Sequence, residues 1–260
     1  MLAIPFPAID PVLISFGPIA IRWYSLAYIA GLIIAWWMMR RMGPKLSDDM
    51  TIEAMDDFIV WATLGVILGG RIGFVLFYEY SYFAQNPMEI FAVWRGGMSF
   101  HGGFLGVCIA AWLFCRKHAI RPIQFGDLLA VVSPAGIFFG RIANFINAEH
   151  FGRVTDVPWA MVFPNGGPEP RHPSQLYEAA LEGALLFIVL GLMFRVDAIR
   201  ERSGVLLGTF VAGSAITRMS LEFVRTPDAQ IGIMTIGQWL SVPMLVIGLG
   251  LIAWGWKRRT

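Results

Sequence analysis

The residues best suited to chemistry in this sequence are arginines, amides and acids set at the edges of apolar runs. The densest group is Gly140-Arg141-Ile142-Ala143-Asn144-Phe145-Ile146-Asn147-Ala148-Glu149-His150-Phe151-Gly152. Arg141, Asn144 and Asn147 recur every third residue, so a helix places them loosely on one face, with Glu149 and Gly152 following as the helix ends. A guanidinium beside two amides at an apolar boundary suits an anionic head group. The structural alternative is a polar helix end packed against an external loop. A second group, Gly96-Gly97-Met98-Ser99-Phe100-His101-Gly102-Gly103, sets glycine pairs around a histidine, where other backbone or a ligand can come close. His101 is there either as a proton acceptor near neutral pH or as a hydrogen-bonded structural residue.

A third group is Arg218, Glu222 and Arg225, followed by Thr226-Pro227-Asp228. Spacings of four and seven put the three charges on one helix face, where they serve a ligand or pair with one another. A fourth runs Arg171-His172-Pro173-Ser174-Gln175-Leu176-Tyr177-Glu178, with Glu182 one turn on. Pro173 suits a helix start that Ser174 or His172 could cap. Glu178 and Glu182 then enter an apolar segment and need cationic partners, for which unpaired arginines are the candidates. Arg22-Trp23-Tyr24-Ser25 opens the first apolar run, although Trp and Tyr also belong at a membrane interface for their own sake.

The elements that position these groups are membrane spans. Apolar residues make up 57% of the 260 and charged residues 15%, against roughly 25% charged in an ordinary soluble domain. The deficit runs along the whole chain. Spans of roughly 20 apolar residues are predicted at about 18–39, 55–78, 99–115, 123–143, 174–194, 204–223 and 237–256. The expectation is an all-α polytopic protein of about seven transmembrane helices. No domain boundary is apparent, so residues 1–260 are expected to form a single transmembrane domain, with one long loop at about 144–173. Gly70-Arg71-Ile72 and Gly140-Arg141-Ile142 echo each other, but three residues do not make a repeat. Arg40, Arg41 and Lys45 follow the first run, as expected of a retained helix rather than a cleaved signal peptide.

The basic residues divide by side. Four groups of three (Arg40, Arg41, Lys45; Arg116, Lys117, Arg121; Arg195, Arg200, Arg202; Lys257, Arg258, Arg259) fall at alternate span ends and include every lysine. By the positive-inside rule these ends are cytoplasmic, so the N-terminus lies outside and the C-terminus in the cytoplasm. The other eight are all arginines: Arg22, Arg71, Arg95, Arg141, Arg153, Arg171, Arg218 and Arg225. Snorkelling and pairing account for Arg22, Arg95 and Arg153. Arg141 and Arg218 sit near the external ends of apolar runs among other polar residues; an arginine at a helix centre costs roughly 2.5–3.5 kcal/mol on insertion scales, so arginines embedded in such runs tend to be functional. A guanidinium fork holds a phosphate through two parallel bonds, where an ammonium is a point charge.

Other chemistries find little support. The basic residues form no nucleic-acid-type block and the net charge is only +2. Cys108 and Cys115 read as small buried hydrophobes. His101, His118, His150 and His172 make no metal-ligand pair, so no metal is expected. No glycine-rich strand-to-helix phosphate loop implies a cofactor. The competing functional reading is a transporter or channel for an anionic substrate. It predicts broken spans in two related halves, which are not visible.

Taken together, the Gly140–Gly152 stretch, His101-Gly102-Gly103, the Arg171–Glu178 block and the Glu222-to-Asp228 block resemble, in order, the motifs of the bacterial prolipoprotein diacylglyceryl transferase family. The resemblance covers essentially the whole chain. One departure is Ser214, where the family usually has a tyrosine four residues before the arginine matched by Arg218; a role of that tyrosine does not transfer. The resemblance implies an enzyme of the bacterial inner membrane with its active site towards the periplasm. It would take phosphatidylglycerol and a prolipoprotein signal peptide from the bilayer. It would move the diacylglyceryl group to the lipobox cysteine thiol as a thioether, releasing glycerol 1-phosphate, the first step of lipoprotein maturation. Arg141 and Arg218 would hold the phosphate, Asn144 would orient the head group with Asn147 in support, and Glu149 would hold an arginine in register. Gly152 and Glu222 complete the expected substrate-binding set. Tyr24 would hydrogen-bond a head group. His101 would accept the thiol proton, a transfer uphill between an ordinary thiol and an ordinary imidazole unless nearby arginines favour the thiolate.

Overall fold

The computed structural model describes residues 4–7, 9–16, 19–227 and 229–258, with Phe16, Ile19 and Ile231 described by backbone alone. Pro18, Asp228 and Arg259, which figure in the sequence reading, lie outside the described residues. A helix lies at each of the seven places predicted: α1 Trp23–Leu46, α2 Ile52–Phe77, α4 Phe100–Lys117, α5 Pro122–Ile146, α6 Ser174–Phe194, α8 Val205–Leu221 and α9 Ile236–Lys257, with short α3 Tyr80–Gln85 and α7 Asp197–Arg200 between them. Four of these, α2, α5, α6 and α9, are long and apolar enough to cross a membrane. On α2, Val60, Leu64, Leu68, Ile72 and Leu76 are each more than half exposed at every fourth position. Such a stripe fits hydrocarbon rather than water. The chain is a mostly helical membrane protein.

Three two-stranded pairings interrupt the helices: Val12–Phe16 with Ile19–Arg22, Ile4–Pro5 with Met161–Val162, and Gln230–Ile231 with Met234–Thr235. The architecture stays all-α in character, and pairings this short leave no periodicity to read. Arg22 closes a hairpin strand instead of opening the first helix, which starts at Trp23 and runs beyond Arg40 and Arg41 to Leu46.

The chain divides into two compact units, one holding Met39–Phe125 and the other the chain before and after it. In the Met39–Phe125 unit a row of glycines on α2, Gly65, Gly69 and Gly73, runs beside its exposed stripe. A Cβ on Gly69 would lie 2.8 Å from the Gly106 Cα, and one on Gly73 would lie 2.8 Å from the Gly102 Cα. Small residues thus let α2 and α4 meet backbone to backbone. Ser99 caps α4 by accepting the Gly102 N–H at 3.2 Å, while its own N–H donates to the Gly70 carbonyl at 2.9 Å.

Beside this seam lies Arg71, only 6% exposed. Its guanidinium donates to the carbonyls of Glu89 (2.6 Å), Gly96 (2.7 Å), Ile90 (2.8 Å), Gly97 (3.2 Å) and Ala92 (3.4 Å). Gly96 and Gly97 present theirs from positive φ (84° and 79°), a backbone that only glycine adopts without strain. One cation therefore organises the whole 86–97 connection.

In the other unit, Asp127 on α5 is 1% exposed and receives the N–H groups of Gly204 (2.6 Å) and Leu207 (2.7 Å). It caps the start of α8 from a neighbouring helix, where a carboxylate also complements the helix dipole. Gly183 on α6 lies so close to α5 that a Cβ there would be 2.8 Å from the Phe138 Cα.

Hydrogen bonds from a charged donor are worth about 1.5–3 kcal/mol each, and an ammonium cannot span five carbonyls. Arg71→Lys is expected to lower the thermal midpoint in detergent and to expose 86–97 to protease, with Arg71→Ala worse. A Lys variant as protease-resistant as the parent would show that the connection is held by other contacts.

Candidate active site

The polar groups of the second unit converge on one buried carboxylate. Glu178, in the second turn of α6, has no exposed surface. Its Oε2 takes Arg141 Nη1 at 3.0 Å; its Oε1 takes Arg225 Nη1 in close contact and Arg218 Nη1 at 4.0 Å. Glu222, 3% exposed, pairs with Arg218 Nη2 at 3.0 Å and with Arg225 Nε at 3.7 Å. Glu182, 8% exposed, reaches Arg141 Nη2 at 3.5 Å. The expectation that Glu178 and Glu182 take the embedded arginines as partners is met.

Local structure explains the convergence. Arg141 stands in the last turns of α5. Glu178 closes the α-helical start of α6, and Ala179–Leu185 continues as π-helix before regular helix resumes. Such wide turns inside helices are uncommon and tend to mark functional sites. Here both carboxyls of Glu178 and Glu182 are directed at Arg141. Gly237 leaves room for Glu222, since a Cβ there would come 2.7 Å from the Glu222 Cδ.

Beyond Arg141 the chain leaves α5 through Ala148 (φ 53°) and His150 (φ 56°), two non-glycine residues in left-handed backbone on either side of Glu149. Strain of this kind needs surrounding structure to enforce it. Gln175 Nε2 donates to the Glu149 carbonyl at 2.5 Å, and Ser174 Oγ donates to the His150 carbonyl at 2.9 Å. Ser174 therefore clamps the strained turn instead of capping its own helix, and His172 does not cap it either, since no side chain among the described residues caps α6. His172 is partly buried, which holds its imidazole below the ordinary value; its Nδ1 lies 3.2 Å from Tyr177 Oη.

Glu149 accepts from Asn144 Nδ2 and Asn147 Nδ2, each at 3.5 Å. It was expected to hold an arginine, but among the described residues its partners are the two amides that share its turn. Tyr24 lies within electrostatic reach of Glu149 and Arg141, with its Oη 3.1 Å from Tyr28 Oη. Gly152 is where two backbones cross. Its N–H donates to the His172 carbonyl at 2.8 Å, it bridges to Arg225, and a Cβ would lie 2.8 Å from the His172 Cβ. Ser214 Oγ is buried without a hydrogen-bond partner among the described residues.

Arg141, Asn144, Asn147, Glu149, Gly152, Arg218, Glu222 and Tyr24 thus all belong to one unit. His101 belongs to the other, in the first turn of α4, exposed and edge-on to Phe100 at 5.6 Å. The sequence reading missed the clamping by Ser174 and Gln175, whose side chains are fully buried. Polar residues at the start of an apolar helix were the available signal.

Arginines differ in what they bind. Arg153 donates to the carbonyls of Arg225 (2.7 Å) and Glu222 (3.2 Å), and Arg171 to those of Gly166 (2.9 Å) and Gly152 (3.3 Å). Arg95 pairs with Glu89 at 2.8 Å. Arg141 and Arg218 lie on carboxylates yet keep 26% of each side chain exposed. Held by carboxylates on one side and still partly open on the other, they suit an anion. No cluster that could hold a metal ion occurs among the described residues.

Residues 11–254 match the family model of the prolipoprotein diacylglyceryl transferases. The chain belongs to the prolipoprotein diacylglyceryl transferase family. A protein of Rhodospirillum rubrum named phosphatidylglycerol–prolipoprotein diacylglyceryl transferase is 55% identical over 96% of this chain and 93% of its own length. Proteins of the same name from Paramagnetospirillum magneticum and Azospirillum brasilense are 53% identical (98% of this chain, 97% of theirs) and 51% identical (99% and 98%). The transporter reading finds no support among these relatives. Of the Gly140–Gly152 stretch, Arg141 is a member of the arginine cluster described above.

Removing one partner of a buried ion pair costs about 3–5 kcal/mol. Glu178→Gln, which leaves three guanidinia with two carboxylates, is expected to reduce folded protein in membranes and lower the thermal midpoint. Glu182→Gln, losing one long contact, should cost much less. Equal shifts in the two variants would show that Glu178 is not the anchor.

Proposed function

We propose that this chain transfers the diacylglyceryl group of phosphatidylglycerol to the lipobox cysteine thiol of prolipoproteins. The product is a thioether and the leaving group is glycerol 1-phosphate. Family membership supports the reaction, and one observation ties it to residues: Arg141 and Arg218 share a buried carboxylate behind them and remain partly exposed in front. Sulfur attacks the glyceryl carbon as the carbon–oxygen bond to phosphate breaks. Charge then grows on the phosphate, where Arg141 and Arg218 neutralise it. Preorganised donors in a dry site are commonly the largest catalytic contribution, one donor being worth roughly 10²–10³ in rate.

Asn144 orients the head group, and Asn147 and Glu149 fix its geometry through their shared turn. Tyr24 hydrogen-bonds the head group from α1. Glu222 keeps Arg218 in place, and Gly152 lets the loop cross behind the cluster. His101 accepts the thiol proton. The nucleophile is the substrate's, so Cys108 and Cys115 need no catalytic role. In this reading seven helices span the bacterial inner membrane as one catalytic domain, N-terminus outside and C-terminus in the cytoplasm. The arginine cluster and the loop at about 144–173 then face the periplasm.

The purified chain, given phosphatidylglycerol and a lipobox peptide, is expected to form thioether peptide and release glycerol phosphate stoichiometrically; lipid flux without product would overturn the assignment. Arg141→Lys and Asn144→Ala should lose transfer by about 10²-fold or more while remaining folded. Near-normal activity in Arg141→Lys would remove the bidentate phosphate contact. For His101, transfer rate against pH in His101→Asn is decisive: an unchanged rate and profile would dispose of its role as base.

A further inference from the structure

The cluster around Glu178 contains three arginines (Arg141, Arg218, Arg225) and three acids (Glu178, Glu182, Glu222) among the described residues. With all six ionised its charges cancel. A phosphodiester stays singly anionic across the neutral range, so docking one against Arg141 and Arg218 leaves an uncompensated negative charge in a largely buried place. That is costly unless a cation or a proton comes with it.

The three acids are not equivalent recipients of a proton. Glu178 is fully buried and divided among three guanidinia. Glu222 is 3% exposed and holds two. Glu182 is the most exposed of the three at 8%, and its one ion pair among the described residues is the long contact with Arg141 Nη2 at 3.5 Å. The charged groups facing it are Arg141 from α5, Arg218 from α8 and Glu178 one turn back on its own helix. Arg141 Nη1 is meanwhile fixed by Glu178. The Nη2 edge is therefore the part of that fork that can change partner.

We infer that head-group binding is proton-linked: Arg141 Nη2 passes from Glu182 to the lipid phosphate, and Glu182 takes up one proton from solution. This rests on the reading that Arg141 binds the phosphate of phosphatidylglycerol. The protonated carboxyl then lies beside the phosphate as a neutral hydrogen-bond donor instead of a repelling charge. Protonation of Glu182 by itself releases only the Nη2 edge of Arg141, whose Nη1 stays on Glu178, and leaves the cluster with a single positive charge, matched to one phosphodiester.

The test is calorimetry of short-chain phosphatidylglycerol binding to the full chain in detergent, in buffers of different ionisation enthalpy. One proton is expected to be taken up per lipid bound. Affinity should weaken about tenfold per pH unit where Glu182 is ionised in the free protein. Glu182→Gln should bind with no proton uptake and with affinity independent of pH. Zero uptake in the parent, or undiminished uptake in Glu182→Gln, overturns the inference. If that variant does not fold, infrared difference spectra of the parent decide: a protonated carboxyl band must appear on lipid addition, and its absence overturns the inference. A folded parent that binds no phosphatidylglycerol overturns the functional reading itself, which the proton count distinguishes from failure of the linkage alone.

Discussion

Three guanidinia share the carboxylate of Glu178, and much of the second unit is arranged to make that sharing possible. An arginine deep in an apolar layer persists only with partners that follow it there. Glu178 supplies them from a position with no solvent contact, with Arg141, Arg218 and Arg225 converging from α5, α8 and the turn after α8. The supporting features follow from this point. Gly183 brings α6 against α5, Gly237 makes room for Glu222, and Gly152 lets the loop cross close to Arg225. Ser174 and Gln175, just ahead of Glu178 on α6, tie down the strained turn on either side of Glu149. A single helix start therefore fixes both the arginines and the amides beside them.

This arrangement sets the guanidinia before any ligand arrives. In water a guanidinium must reorganise its solvent to receive a phosphate. Here the inner N–H groups of Arg141 and Arg218 are already committed to Glu178 and Glu222, so their planes are fixed. Donors that need no reorganisation at the moment charge develops are the ones that lower a barrier most. Near-neutrality of the cluster keeps three arginines folded into a membrane protein, while asymmetry among the acids leaves one edge able to exchange.

How much of this was legible in the sequence depended on whether the signal was local. Seven apolar runs predicted seven helices because span length and hydropathy are local properties, and each helix lies where its run does. The pairing of Glu178 and Glu182 with arginines was legible from need alone, since two acids in an apolar run must find cations. Which cations was not, because convergence of α5, α6 and α8 is tertiary. The identity of Glu149's partners was misread for a different, local reason: with Ala148 and His150 in left-handed backbone on either side, its carboxylate meets Asn144 and Asn147. No residue preference marks an alanine in that conformation. Ser174 looked like a helix cap from its position, and its hydroxyl instead serves a carbonyl 24 residues upstream.

The eight arginines set apart by side also show why residue type alone does not locate a site. Arg71 is as buried as any of them, and its fork is filled by backbone carbonyls of the 86–97 connection. Arg153 and Arg171 likewise bind carbonyls. A carbonyl cannot leave without unfolding the segment that carries it, so such an arginine has no capacity for a ligand. A carboxylate differs, because it is the same kind of acceptor as a phosphate oxygen, and a proton can neutralise it where it stands. An arginine held by carboxylates can therefore trade one anion for another without rearranging the backbone. Among the external and embedded arginines, Arg141 and Arg218 combine that kind of partner with an exposed edge inside the cluster. That combination, more than burial or charge, separates the arginines that could act on a lipid phosphate from those that hold the fold.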